Sequence, residues 1–197
     1  MKIGLFFGSF NPIHHGHLII AKHMVEETDL DEVWLVVSPQ NPEKKNAGLL
    51  HERHRLHLTQ LALEGETKIR VSSVEFSLPR PSFTAETLIY LREKYPKHTF
   101  SIIVGSDSYN NLPRWKNASF IMSGYRFLVY TRPENPCIIN TEVQETVVVD
   151  APQMDISSSY IRKKIKSKKS IRYLVPDSVY EEIYKQQFYD SSNEKTQ

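Results

Sequence analysis

The chain has one cysteine, Cys137, among 197 residues. No intrachain disulfide can form, and a reducing compartment fits that usage. No apolar run approaches the roughly 20 residues that a membrane-crossing helix needs. The first residues, Met1-Lys2-Ile3-Gly4, enter a short strand pattern with no secretory signal pattern after them. Together these predict a cytoplasmic protein without a membrane partner. Net charge is only +2, so no global field calls for nucleic acid as partner. Glycine is scarce, at seven residues, and two glycine-based nucleotide motifs are missing. There is no Gly-Lys-Ser/Thr, hence no P-loop. No G-x-G-x-x-G follows the first strand, hence no dinucleotide fingerprint.

What is present is more specific. The run Gly8-Ser9-Phe10-Asn11-Pro12-Ile13-His14-His15-Gly16-His17-Leu18 follows an apolar strand pattern, Ile3 to Phe7. It precedes a helical one, with Leu18, Ala21, Met24 and Val25 at helical spacing. A tight turn between a first strand and a first helix is where open α/β sheets bind nucleotides. The helix start offers unpaired N–H groups and a positive dipole end, which suit a phosphate. His14 and His17 bracket Gly16 in the pattern His-x-Gly-His. Imidazole donates to phosphate oxygens and, when protonated, offsets their charge.

The rest of the chain alternates. Short strands rich in Val, Ile and Phe are predicted at Ile3–Phe7, Val33–Val37, Ile69–Ser72, Phe100–Gly105, Phe127–Thr131 and Val147–Val149. Helical patterns lie near 16–28, 51–64, 84–95 and 117–123. This predicts a Rossmann-like α/β fold, a doubly wound parallel sheet with helices on both faces. Beyond about residue 155 the pattern is purely helical, at 157–166 and 176–187, and predicts a small C-terminal helical cap of about 157–189. Length favours one domain, 1–189, with 190–197 as a flexible polar tail.

A second motif opens the cap. Three serines in Ile156-Ser157-Ser158-Ser159-Tyr160-Ile161-Arg162 precede an apolar-periodic stretch and mark a helix N-terminus. Such a start can cap itself and also bind an anion, and Arg162 lies within its first turns.

Gly8–Leu18 taken with Ile156–Arg162 resembles the nucleotidyltransferase superfamily, with its paired His-x-Gly-His and Ile-Ser-Ser-Thr-x-x-Arg signatures. Within it the chain looks like the bacterial nicotinate-nucleotide adenylyltransferase family, from Met1 to about Tyr189. Supporting blocks are Pro42-Glu43-Lys44, Arg55, Pro81-Ser82-Phe83-Thr84, Gly105-Ser106-Asp107, Pro113-Arg114-Trp115, Thr131-Arg132-Pro133 and Tyr173-Leu174-Val175-Pro176.

The resemblance implies adenylyl transfer from ATP to nicotinate mononucleotide, with Mg²⁺ carried on the ATP phosphates and no protein metal site. It implies that His14, His17, Lys44 and Arg162 serve catalysis. ATP would meet Gly8, Ser9, Phe10, Gly16, Gly105, Asp107, Ile156, Ser157, Ser158 and Arg162, with Asp107 on a ribose hydroxyl. The acceptor would meet Asn11, Lys44, Arg55, Thr84, Trp115 and Lys116. Trp115 would stack on the pyridine ring, and backbone amides near Thr84 and Lys116 would receive its carboxylate. The chain departs from the pattern at four places. Asn11 stands for Asp, Glu43 for the histidine before Lys44, Phe83 for Tyr and Ser159 for Thr. Glu43 adds a negative charge beside Lys44 and the phosphate path.

Other readings are weaker. His51-Glu52-Arg53-His54 lacks one residue of a zinc-protease pair, so His51, His54 and His57 are expected on a solvated helix flank. His15 is a bystander. Arg162 to Arg172 holds seven basic residues in eleven. It reads first as a solvated face, next as a funnel for anionic nucleotides, and least as an RNA surface. Tyr173, Tyr180, Tyr184 and Phe188 are expected to pack the terminal helix. Related transferases acting on nicotinamide mononucleotide, phosphopantetheine or another phosphate stay open, as does a non-catalytic nucleotide or RNA module. The His-x-Gly-His turn is also similar to class I aminoacyl-tRNA synthetases, but no Lys-Met-Ser-Lys-Ser loop or anticodon domain is present. The predicted partners are the two small substrates, and a homo-oligomer is compatible with the reading.

Overall fold

The computed structural model describes residues 1–40, 48–132 and 134–190. Six strands run β1 (Lys2–Gly8), β2 (Glu32–Val37), β3 (Ile69–Ser72), β4 (Thr99–Gly105), β5 (Arg126–Tyr130) and β6 (Glu145–Val149). They form one sheet in the order β3-β2-β1-β4-β5-β6, and every pairing is parallel. The order reverses between β1 and β4. In open α/β sheets that reversal opens a crevice beyond the carboxyl ends of the strands.

The alternation of side chains across each strand explains the two layers. Phe6, Leu35, Ile103 and Leu128 face one side. There they meet α1 (His15–Glu27), α2 (Glu52–Leu61), α6 (Ser158–Lys166) and α7 (Asp177–Lys185). Leu5, Val36, Ile102 and Phe127 face the other. There they meet α3 (Thr84–Lys94), α4 (Ser106–Asn110) and α5 (Ala118–Gly124). Strands covered on both faces read as continuous apolar runs, which is why the six predicted strands are found within two residues of their expected ends.

The helical segment after residue 155 packs on the same core as α1, through Ile161, Ile165, Val179 and Ile183. One expectation there is corrected. Phe188 is buried and the Tyr184 ring packs 4.6 Å from that of Tyr180, but Tyr173 is 81 % exposed and does not pack the terminal helix. Tyr173 sits in a turn at φ 68°, which turns it away from the helix, with the Arg172 guanidinium over its ring. α4 and the short 3-10 turns Val74–Ser77 and Leu112–Arg114 were not expected. Each is about a turn long, too short to show a period. Of the expected tail, residues 191–197 lie outside the described residues. Among the described residues no helix is long and apolar enough to cross a membrane.

Candidate active site

The crevice at the β1/β4 reversal is a cavity of about 1250 Å³, roomy even beside the roughly 300–1,000 Å³ of small-ligand sites. Its floor is the turn after β1. Gly8 ends the strand, and a Cβ there would sit 2.7 Å from the Phe10 ring. Phe10 takes φ 42°, a left-handed conformation uncommon outside glycine, and its buried ring holds it there, edge-on to Phe6 and His17.

α1 begins at His15, with His14 as the residue before it. The rings of His14 and His17 stack, with centroids 3.7 Å apart. The His14 backbone N–H donates to His17 Nδ1 at 3.3 Å. A neutral His17 therefore carries its proton on Nε2. Gly16 lies between them because a Cβ there would reach within 3.1 Å of the His14 ring. His14 is buried, and its Nδ1 has no hydrogen-bond partner.

Burial, then the charge of Arg132, then that of His15 push the His14 pKa down to about 4. His14 is thus neutral at neutral pH and offers a dipolar N–H rather than a cation. The unfolded chain binds a proton at about pH 6.5 and the folded one only near 4. Stability is therefore full above about pH 6.5 and is lost as pH falls from there toward 4. We expect the His14 ring resonance of the free protein to titrate below about pH 5. A midpoint near the free imidazole value would contradict the buried, neutral ring.

α6 closes the cavity from the far end of the chain. Ser157 caps it, its hydroxyl accepting from the Tyr160 N–H at 3.2 Å. Ser158 Oγ donates to Pro12 O at 2.9 Å, and Arg162 Nη1 donates to Asn11 O at 2.7 Å. The two motifs are therefore stitched together through the backbone of the turn, by bonds that span 146 and 151 residues of sequence. The opposite wall carries Phe83, Thr84, Trp115 and Lys116. The Lys116 ammonium lies 4.0 Å from the centre of the Phe83 ring and 2.8 Å from Glu86 Oε1. α3 starts at Thr84, which places its first N–H groups at this wall.

The cavity brings together Gly8, Ser9, Phe10, Asn11, His14, Gly16 and His17 from the first turn, and Gly105 and Asp107 after β4. It also gathers Thr84, Trp115, Lys116, Ile156, Ser157, Ser158 and Arg162. Lys44 lies outside the described residues. Arg55 is placed differently from the expected acceptor contact. It is fully buried, and its guanidinium donates to the backbone carbonyls of Leu50, Ser9, Ser38 and Pro39. Asn11 is likewise tied up locally, donating to Gly48 O and accepting from the Leu50 N–H. His54 and His57 are exposed on α2, and His51 is exposed at its N-cap.

Sequence reasoning gave no role to Arg132, Glu75 or Ser82, which also line the cavity. Arg132 Nη2 donates to Tyr130 Oη at 3.1 Å, and its Nε lies 3.5 Å from Asp107 Oδ1. Its place directly after a parallel strand, on the ligand side of such a sheet, was the available signal.

Comparisons with known proteins identify the family and the fold. Residues 5–164 match the cytidylyltransferase-like family model. A protein of Cytophaga hutchinsonii named nicotinate-nucleotide adenylyltransferase is 50 % identical, over 97 % of this chain and 100 % of its own length. One of Flavobacterium psychrophilum with the same name is 47 % identical, over 96 % and 99 %. The chain belongs to the nicotinate-nucleotide adenylyltransferase family. Its fold also matches a Plasmodium falciparum nicotinic acid mononucleotide adenylyltransferase complexed with NaAD, at a TM-score of 0.81 and 20 % identity, covering 95 % of this chain and 97 % of that one. The two segments that carry the resemblance, Gly8–Leu18 and Ile156–Arg162, are the ones that Ser158 and Arg162 join across the cavity.

Proposed function

We propose that this protein transfers the adenylyl group of ATP to nicotinate mononucleotide, a step of NAD biosynthesis. The observation that carries the reading is the pairing of the His14–His17 turn with Ser157, Ser158 and Arg162 in one cavity. An ionised phosphate oxygen of the acceptor attacks the α-phosphorus of ATP in line. A bond forms between that oxygen and phosphorus, the bond to the bridging α,β-oxygen breaks, and pyrophosphate leaves with the electron pair. No side chain need become covalently attached, and no proton need be removed from the nucleophile. What the protein supplies is position and charge stabilisation.

In this reading His14 and His17 donate N–H groups to the phosphates, and Arg162 supplies a fixed positive charge at their β,γ end. Lys44 would serve the same oxygens. Gly8, Ser9, Phe10 and Gly16 give the nucleotide close access to backbone. Asp107, beside Gly105, accepts from a ribose hydroxyl, with its Oδ1 held toward the Arg132 guanidinium at 3.5 Å. Adenylyl transfer from ATP involves a divalent cation. Among the described residues no cluster of His, Cys, Asp and Glu could hold a metal ion. A histidine- and arginine-rich donor set fits phosphate better than metal, so we place Mg²⁺ on the phosphates, where its preference for phosphate and water oxygens puts it. The acceptor would lie against Trp115, with its carboxylate toward the N-terminal N–H groups of α3 at Thr84 and toward Lys116.

The deciding experiment is product analysis with ATP, Mg²⁺ and a panel of nicotinate mononucleotide, nicotinamide mononucleotide and phosphopantetheine. Nicotinate adenine dinucleotide and pyrophosphate are the expected products. Equal or better use of another acceptor would overturn the substrate assignment. When an amide replaces the carboxylate, one oxygen acceptor becomes an NH₂ donor, so one N–H of the wall is left unpaired at about 1–3 kcal/mol, and the attraction of the donors for a negative charge is lost. We therefore expect kcat/KM for the acid to exceed that for the amide by roughly 10²-fold or more.

A further inference from the structure

Glu75 is a buried carboxyl at the cavity that the proposed reaction does not use. It is 1 % exposed, in the short turn Val74–Ser77 that follows β3. Three elements converge on it. From α3, Thr87 Oγ1 donates to Glu75 Oε1 at 2.9 Å. From the end of β2 and from the segment before α3, the hydroxyls of Ser38 and Ser82 face the same carboxyl. No charged side chain acts on it from any of these elements among the described residues. Ser38, Ser82 and Glu75 itself line the cavity. Ser82 and Phe83 lead directly into Thr84, the first residue of α3 and part of the acceptor wall.

We propose that Glu75 is a positioning residue of the acceptor wall: its carboxyl, held as the neutral acid, ties β2, the Ser82–Thr84 segment and α3 together beside the acceptor subsite. The geometry argues for the neutral form. An ionised carboxylate buried to 1 % exposure without a cation is costly, and three neutral hydroxyls do not replace a counter-ion. Glu75 Oε2 and Ser82 Oγ each lack a hydrogen bond of ordinary geometry, and an acid proton adds a donor between them. Burial raises the Glu75 pKa, and this outweighs the opposing pull of Thr87, Ser38 and Ser82. The functional consequence concerns charge. α3 would present its N-terminal N–H groups to an anionic ring substituent; the charge of Glu86 in its first turn is offset by Lys116 at 2.8 Å, whereas an uncompensated negative charge on Glu75, one helical turn away, would cancel part of that attraction. Neutral Glu75 braces the wall without repelling the acid.

This inference rests on the acceptor reading above, so its test has an arm that does not depend on activity. The carboxyl band of Glu75 is isolated as the infrared difference between wild type and Glu75→Gln. A neutral-acid band at neutral pH is expected, and a carboxylate band there overturns the proposal. In the kinetic arm, kcat/KM for the acid and amide acceptors is measured at saturating ATP. Glu75→Gln, an isostere of the neutral acid, should keep the acid-acceptor value within about threefold. Glu75→Ala should raise the acceptor KM by about tenfold with the ATP KM unchanged. At any alkaline pH where the neutral band vanishes, the acid-to-amide ratio should fall in wild type and not in Glu75→Gln. A tenfold loss of that ratio in Glu75→Gln at neutral pH, or an alkaline fall shared by both proteins, overturns the proposal. If no protein makes dinucleotide from the acid acceptor, the functional reading fails, while the infrared result still decides the state of Glu75.

Discussion

Replacing His17 by Ala is expected to lower kcat by about 10²–10³-fold, the range for losing one preorganised donor to transition-state charge. The side chain is fixed from three directions. Its ring stacks on His14, meets the Phe10 ring edge-on at 5.0 Å, and accepts from the His14 backbone N–H through Nδ1. The last contact decides the tautomer and leaves Nε2 as an N–H donor on a ring that lines the cavity. A ring oriented before substrate arrives needs no reorganisation as charge builds on the α-phosphoryl group. The thermal midpoint should move little, because His17 is only partly buried, and ATP should still bind through α6 and the backbone of the turn. Single-turnover rates with ATP and nicotinate mononucleotide make the measurement. Near wild-type turnover in His17→Ala would remove this imidazole from the mechanism.

How much of this was legible depended on whether a feature is local. The strands were readable because a parallel sheet buries both faces, and runs such as Leu35-Val36-Val37 have no other economical use. The start of α6 was readable because Ser157 caps it within three residues. The two motifs were readable because each is contiguous, although the bonds joining them, Ser158 to Pro12 and Arg162 to Asn11, are not. Features set by distant partners were not legible. Glu75 looks like a lone acidic residue between Val74 and Phe76, and only its burial, the Thr87 bond and the nearby hydroxyls of Ser38 and Ser82 make it a buried hub. Tyr173 followed the helical spacing of its neighbours, but a left-handed backbone at φ 68° turns it to solvent. Arg55 was the largest displacement. An arginine among His54, Leu56 and His57 carries no sequence sign that four backbone carbonyls surround it.

Those four carbonyls make Arg55 the site of the second large effect. Its Nε donates to Leu50 O at 2.7 Å, its Nη1 to Ser9 O at 2.5 Å and Ser38 O at 2.8 Å, and its Nη2 to Pro39 O at 3.0 Å. One planar fork from α2 thus holds the turn after β1, the segment after β2 and the backbone before α2. Ser9 and Ser38 also line the cavity, so the floor of the site and the fold share this anchor. Burial lowers the Arg55 pKa, opposed by Tyr189 and Glu52 and helped by Arg80, but a guanidinium starts too high to lose its charge. Arg55→Met keeps the stem and removes every donor. Each buried acceptor left unpaired costs about 1–3 kcal/mol. Because neighbouring losses are not additive, the net destabilisation expected is about 3–5 kcal/mol, the range for breaking a buried charged network. Arg55→Lys should be intermediate, since one ammonium cannot satisfy carbonyls spread across a planar fork. Urea unfolding gives the stability, and kcat/KM for ATP on the folded fraction gives the effect on the turn, with a loss expected in both. A contact between Arg55 and the acceptor predicts a different pattern, a raised acceptor KM in a protein of undiminished stability. That outcome would return Arg55 to the acceptor subsite and remove it as the anchor of the phosphate turn.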